Sequence, residues 1–577
     1  MRNLYLSELT YFSFRNSGIM KHLLTLVFTV ITAVCYGQFT VDTLQNTVIH
    51  DINGSEQATP LSGTTSNGST YVSWFDLSSG SYVLRMQLLD ANGNNLWAAG
   101  GIVVSSYPQS TALFRYDLKV DNDDNAIVAF QDMRSGTLNV VAYKVNTTGG
   151  LVWGNAGVAL SDSTAEGLGP KITITQNNNV IVAWNSSIGT SKWVSYQKIN
   201  SSGAIVWAKR ILDSNKYSRP VLLPYGSDDF LMLYVKEVGS FPGVTSTMYA
   251  QRYDSNGNGV WLSPTQVSTK TISFFTFPDI ISDTHNGFYI SFNTSNPVNT
   301  SLNDVYAQHV DSTGALWSNT GTQAANSTTE HKLTGGCCYS AANNELYLSL
   351  QVLDGSQGSS GIYLQKLDNN GSVLLGPNAL LLRPIISNYY LPYTITDAGN
   401  GVIILYGLGT FGNQKIQALK TDYSGGALWS YDPTLCNYLS NKDDLSSGRF
   451  TNNQTVAVWS DDRLDNGIYT QNISGDGDFG ILTSIQEDFL EQTMMLFPNP
   501  GLHPSLQLTT TSSTTLSITV YNLIGKKISS ENFVATAGNN VVPIPDPGTD
   551  GLYFIEVSGN KKSNVVKWIR RGSTHSE

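Results

Sequence analysis

The feature that most restricts what this chain can fold into is a repeat of about 54 residues, running from Gln38 to about Gly480. Its first element is an apolar run that ends in an aromatic residue, often with Asp after it. It reads YVSWFD at 71–76, AIVAFQD at 126–132, VIVAWN at 180–185 and FLMLYV at 230–235. It returns as GFYISFN at 287–293, ELYLSLQ at 345–351, VIILYG at 402–407 and TVAVWSD at 455–461. The anchors Trp74, Phe130, Trp184, Tyr234, Phe292, Leu350, Tyr406 and Trp459 stand 50 to 58 residues apart. A second element follows each run, as in WVSYQKINSSGAIVW at 193–207, MYAQRYDSNGNGVW at 248–261 and VYAQHVDSTGALW at 305–317. It reads as a strand, a turn of the Asp/Asn-x-x-Gly kind, and a strand opening with Trp. Gly supplies the positive φ of such turns, and Asp or Asn bonds its own backbone.

A further strand precedes each apolar run, as in KITITQ at 171–176. Four antiparallel strands in a unit of this size are the content of one β-propeller blade. The apolar runs lack strict alternation because a middle strand is covered on both faces by neighbouring blades. Eight copies predict an all-β fold: an eight-bladed β-propeller of four-stranded antiparallel blades, followed by a small C-terminal β-sandwich. The eighth unit ends in SGDGDFG without a Trp-bearing strand, while FTVDTLQNTVIH at 39–50 belongs to no complete unit. The two defects cancel if the N-terminal segment pairs with Tyr469–Ile473 as the last blade's fourth strand, which also removes an exposed edge.

At 577 residues the chain is too long for one ordinary domain. Charged residues are only 13%, and 29 Tyr, 21 Phe and 11 Trp exclude a disordered chain. The formal net charge of −11, with no basic run before the last residues, excludes nucleic acid as a partner. Met20 opens MKHLLTLVFTVITAVCYGQ, with a basic start, an apolar run from Leu23 to Val34, and a small-x-small step at Cys35–Gly37. This is a secretory signal peptide, too short for a membrane span. Residues 1–37 are therefore leader, with Met20 the expected true start, an upstream gene-model extension before it, and cleavage before Gln38. Val34 argues against lipidation at Cys35. No membrane span is expected in the mature chain.

Composition changes after Gly480. A linker at 481–493 leads to LFPNP at 496–500, ITVYNLIGKKI at 518–528, GLYFIEV at 551–557 and VVKWIRR at 565–571. Residues 494–577 resemble the type A C-terminal sorting domain of type IX secretion cargo. The likeness rests on Pro498, Asn499 and Pro500, on Tyr521, Asn522, Gly525 and Lys526, and on Gly551, Leu552, Tyr553 and Phe554. The tail 572–577 departs from the family, which ends near the basic cluster. The resemblance implies passage through the Sec translocon and then the type IX outer-membrane translocon, removal of the tag by a sorting peptidase, and a secreted or outer-surface product.

Individual candidates favour structural roles. Asp254, Asn256 and Asn258 imitate half of an EF-hand loop, but Thr265 holds its twelfth position, so a hairpin turn is expected. Asp121–Asp124 reads as an acidic turn. Arg134 and Arg463 follow Asp132 and Asp461 and should pin the loop after the second strand. His50, His285, His309 and His331 lack metal or triad spacing. Gln197, Gln251, Gln308, Gln365 and Gln471 should satisfy buried backbone groups. Cys436 can bridge Cys337 or Cys338, or all three can remain thiols. No catalytic residue, metal or cofactor is assigned. The expected function is a binding or adhesion module for an extracellular glycan or protein; the alternative is a surface glycan-active hydrolase or lyase.

Overall fold

The computed structural model describes residues 38–481 and 494–571, apart from short breaks at 110–111, 113–114, 241–242, 511–513, 537 and 560–561. The expected leader at 1–37, the expected linker at 481–493 apart from Ile481, and the tail after 571 lie outside the described residues. The chain divides into two units, one ending at Ile481 and one beginning at Leu482.

The first unit holds eight four-stranded antiparallel sheets among the described residues. We number them as blades 1–7, spanning 57–109, 117–159, 166–211, 216–266, 281–325, 330–386 and 390–440. Blade 8 is built from Lys442–Ser447, Gln454–Asp461, Gly467–Ser474 and, from the other end of the chain, Thr47–His50. The middle strands explain the unbroken apolar runs: Thr70–Asp76, Ala126–Asp132 and Gln454–Asp461 are buried at every position. One apolar cluster fills each of the eight blade junctions, from Phe75 against Phe130 between blades 1 and 2 to Ile403 and Trp459 between blades 7 and 8. The eighth cluster closes the ring, joining Val72 and Trp74 of blade 1 to Val456, Val458 and Ile468 of blade 8.

The N-terminal segment closes this seam, with a shorter strand than the sequence suggests. Thr47 pairs with Thr470, Val48 with Tyr469 and His50 with Ile468, so Ile468–Thr470 and not the whole of Tyr469–Ile473 carries the ladder. Residues before Thr47 form turns that bond individually: Asn437 N–H donates to the Thr43 carbonyl at 2.8 Å, and Gln471 Nε2 to the Thr40 carbonyl at 2.9 Å.

The tryptophans also need correction. Of the six that follow the Gly turns, only Trp207 lies in an outer strand, Ile205–Ile211. In blade 1, Trp97 precedes the outer strand Ile102–Gln109. These residues act between blades. Each indole N–H donates to a backbone carbonyl in the Gly turn of the next blade: Trp97 to Thr147, Trp153 to Ser201, Trp207 to Ser255, Trp261 to Ser312, Trp317 to Asn369 and Trp429 to Gly475. The turn Gly is required there by its positive φ and by the indole itself. A Cβ on Gly203 would lie 2.8 Å from Trp153.

The second unit is a sandwich of a three-stranded and a four-stranded sheet. Its core is shared between them, with Leu506, Leu508 and Val542 from the first and Ile518, Val520, Ile555 and Trp568 from the second.

Candidate functional site

The inner strand of each blade lines a central channel, and the ends where these strands begin form one mouth. Six inner strands are bulged near that end, with register shifts at Ala58/Leu61, Leu168/Lys171, Ser218/Val221, Thr334/Gly336, Pro392/Thr394 and Asp443/Ser446. A bulge bends its strand and re-aims side chains. Pro60, Pro170, Pro220 and Pro392 sit in or beside these bulges, where no ladder N–H is needed. The polar residue after an aromatic anchor steadies the next blade's bulge: Gln131 Oε1 accepts from Gly169 N–H at 3.2 Å, Asn185 Oδ1 from Arg219 N–H at 2.6 Å, and Asn293 Oδ1 from Thr334 N–H at 2.9 Å.

Charged and aromatic groups gather at this mouth. A cavity there is bordered by Arg115, Lys171, Asn185, Arg219, Phe277 and Asp279. Arg219 is occupied structurally. Its guanidinium donates to the carbonyls of Ser273, Phe274 and Thr276 and meets Glu237 at 3.3 Å. It thereby fastens the connector between blades 4 and 5, which carries Phe274, Phe275 and Phe277 toward the opening. Phe275 and Phe277 are 71% and 50% exposed. Arg115 lies over the Phe277 ring, 4.1 Å from its centroid.

Asp443 and Asp444 complete the rim. Solvent reaches both, yet the surrounding walls hold them in a low-dielectric setting. Burial raises the Asp444 carboxyl above the ordinary aspartate range, and Asp443 raises it further, against the opposing pull of Arg115. Asp443 is likewise raised, by burial and then by Asp462. Deeper in the channel Lys119 is raised by Asp117 and then Asp279. A group whose folded pKa is raised binds more protons folded than unfolded, so its stabilising contribution falls as pH rises through that range. Asp444→Asn should therefore raise the unfolding temperature at pH 7, with the gain vanishing below about pH 4. Calorimetry across that range checks this; an unchanged or lowered midpoint at neutral pH contradicts it.

The residues singled out in sequence stand elsewhere. Asp254 Oδ1 accepts from Asn256 and Asn258 N–H at 2.9 and 2.8 Å, capping its hairpin turn. Asp121 caps its turn through Asp123 and Asn125 and pairs with Lys144 at 2.7 Å, while Asp124 accepts from Ser66. Arg134 pairs with Asp132 at 2.7 Å and Arg463 with Asp461 at 2.6 Å, each pinning its loop. Blade 1 meets the same need differently, with Arg85 against Asp76 at 2.7 Å. The glutamines bond backbone: Gln251 to Trp261, Gln308 to Val267 and Ser318, Gln365 to Ala324 and Gly376, and Gln197 to Leu160. His309 pairs with Asp283, and His50 lies 3.5 Å from Asp76. His285 bonds within its own turn, and His331 sits on blade 6. Cys337, Cys338 and Cys436 are thiols, on blades 6 and 7.

In the C-terminal unit the motif residues organise the sandwich. Asn499, between Pro498 and Pro500, bonds both ways to the last strand: its Nδ2 donates to the Lys567 carbonyl at 2.7 Å, and its Oδ1 accepts from Ile569 N–H at 2.9 Å. Asn522 Oδ1 accepts from Ile524 and Lys526 N–H, shaping the turn in which Gly525 has φ 77°. Tyr521 donates to Glu556 at 2.9 Å. Gly551, Leu552, Tyr553 and Phe554 open the strand Gly551–Gly559, and the Tyr553 ring packs on Trp568.

Residues 495–571 match the family of secretion system C-terminal sorting domains. No curated protein matches the sequence. Among solved structures, the chain is similar to a protein of unknown function from Dyadobacter fermentans DSM 18053, at 10% identity over 54% of this chain and 94% of that one, with a TM-score of 0.33. It is also similar to the polysaccharide lyase Uly1, at 10% identity over 66% and 94% with a TM-score of 0.41. An ulvan lyase of a new polysaccharide lyase family gives 11% identity over 74% and 96%, again with a TM-score of 0.41. All three lie below a TM-score of 0.5, and no activity is carried over from them. Among the described residues no helix is long and apolar enough to cross a membrane. The chain is cargo of the type IX secretion system, an all-β propeller protein whose C-terminal sorting domain marks it as secreted or displayed on the outer cell surface.

Proposed function

We propose that the propeller is an extracellular binding module that holds a glycan across the channel mouth. The observation that carries this is the exposed ring of Phe277, set beside Lys171 and Asp279 in one cavity, with Arg115 over its face and Asp444 close enough to act on that guanidinium. A sugar ring offers an apolar C–H face and a rim of hydroxyls, so its recognition needs an aromatic surface and charged hydrogen-bonding groups together. On this reading, residues 1–37 are a leader read by the Sec translocon, 38–480 the binding propeller, 481–493 a linker, and 494–577 a tag for the outer-membrane translocon and its sorting peptidase. Screening the purified protein on a broad panel of glycans and extracellular proteins tests it. Phe277→Ala should weaken binding of the selected glycan at least about tenfold, as expected for a central aromatic contact. Capture of protein ligands alone, or unchanged glycan affinity in the variant, counts against the reading.

Asp443 and Asp444 favour a second reading, a glycan hydrolase or lyase. Carboxyls raised above the ordinary range are suited to hold and deliver a proton. Turnover of a bound glycan that disappears in Asp444→Asn, with binding retained, selects this reading. Binding without turnover by the wild type removes it.

A further inference from the structure

We propose that Arg115 and Phe277 form a crossbar that shuts this mouth of the channel to large solutes, so that a ligand held there lies across the face instead of threading into the channel. The second clause rests on the glycan-binding reading; the first stands without it. Arg115 precedes the inner strand of blade 2, and Phe277 precedes that of blade 5. Blades 3 and 4 lie between them around the ring, and their bulge residues Gly169, Lys171 and Pro220 border the same cavity beneath the pair. The contact is therefore a chord over the opening. Among the described residues, Arg115 makes no ion pair within 4 Å; burial lowers its pKa against the opposing pull of Asp444 and then Asp279, and a guanidinium stays charged throughout the physiological range. Its guanidinium is thus available to the ring face, the geometry of a cation–π contact. Phe277 is held at its height by the carbonyls that Arg219 gathers from Ser273, Phe274 and Thr276.

On the other side of Phe277 a cavity of about 370 Å³ runs along the channel, bordered by Thr334, Cys337, Tyr393, Thr396 and Arg449. Cys337 is only partly buried, whereas Cys338 and Cys436 are 9% and 0% exposed. Cys337 is a built-in reporter of access to this space.

The test compares labelling of Cys337 in the full chain by a small thiol reagent, methyl methanethiosulfonate, and a bulky one, fluorescein maleimide, with the modified residue located by fragmentation mass spectrometry. Wild type, Phe277→Ala, Arg115→Ala and Phe277→Tyr are used. The bulky-to-small rate ratio should rise on the order of fivefold or more in both alanine variants and stay near wild type in Phe277→Tyr. Unlabelled Cys338 verifies folding in each protein, and either alanine variant that passes decides the matter. An unchanged ratio in the folded alanine variants overturns the crossbar. Because no glycan enters the measurement, its failure leaves the binding reading to its own test.

Discussion

Removing residues 39–50 should abolish the cooperative unfolding of the entire propeller, although these residues supply only one short strand. The reason lies in how the ring is fastened. At six blade junctions a Trp after one blade's Gly turn seats against the Gly turn of the next. Blade 8 has no such Trp to offer blade 1, and Phe39 takes the place. Its N–H donates to the Asn92 carbonyl at 2.8 Å, and a Cβ on Gly93 would lie 2.7 Å from its ring. Phe39 is 3% exposed and Ile49 3%, both within the cluster that joins blade 8 to blade 1. Loss of the segment uncovers Trp74 and Val72 on one side and Val456 and Val458 on the other, and leaves the edge at Ile468–Thr470 unpaired. Phe39→Ala alone should cost about 3–4 kcal/mol, the ordinary penalty for emptying a buried aromatic site. Val41→Ala, two positions away but 74% exposed, should stay within about 0.5 kcal/mol. Thermal and denaturant unfolding followed by tryptophan fluorescence distinguishes these cases. Equal, small effects of the two substitutions would mean that the seam is held by something other than Phe39.

The ring was legible because its signals are local and repeated. A buried middle strand must be apolar throughout, and a tight turn must place Gly at a set offset, so blade count follows from the eight anchors. The placement of the Trp residues was less legible for a physical reason. A Trp after a turn looks like the start of a strand, but its indole answers to a carbonyl about 50 residues further along, in another blade. The seam was visible as two complementary defects, while the substitution of Phe39 for a missing Trp required the packing itself. The channel mouth was hardest to read. Arg115 and Phe277 are separated by 162 residues and sit in connectors outside the repeat. One sequence signal was there to find: SFFTFPD at 273–279 places three aromatics in a connector where the other units carry mostly polar residues.

Deleting residues 494–577 should hold the protein in the periplasm of its host, with none reaching the medium or the cell surface. The sandwich described within this segment falls in residues 495–571, the part that matches a sorting domain, and among the described residues the propeller closes on itself without contributing strands to it. The truncated protein should therefore fold and still fail to leave. A point substitution tests whether the folded sandwich, and not merely the presence of the sequence, is what export requires. Trp568 is fully buried, and its indole N–H donates to the Gly501 carbonyl at 2.9 Å, tying the last strand to the Pro-Asn-Pro opening. Trp568→Ala should cost about 3–5 kcal/mol, comparable with the whole stability of a domain of this size, roughly 4–12 kcal/mol. It should reproduce the export defect of the deletion while leaving the propeller's unfolding unchanged. Val565→Ala, on the same strand but 58% exposed, should be exported normally. Fractionation of host cells followed by immunoblotting reads all three. Surface delivery of the truncated chain would show that another part of the protein carries the export signal.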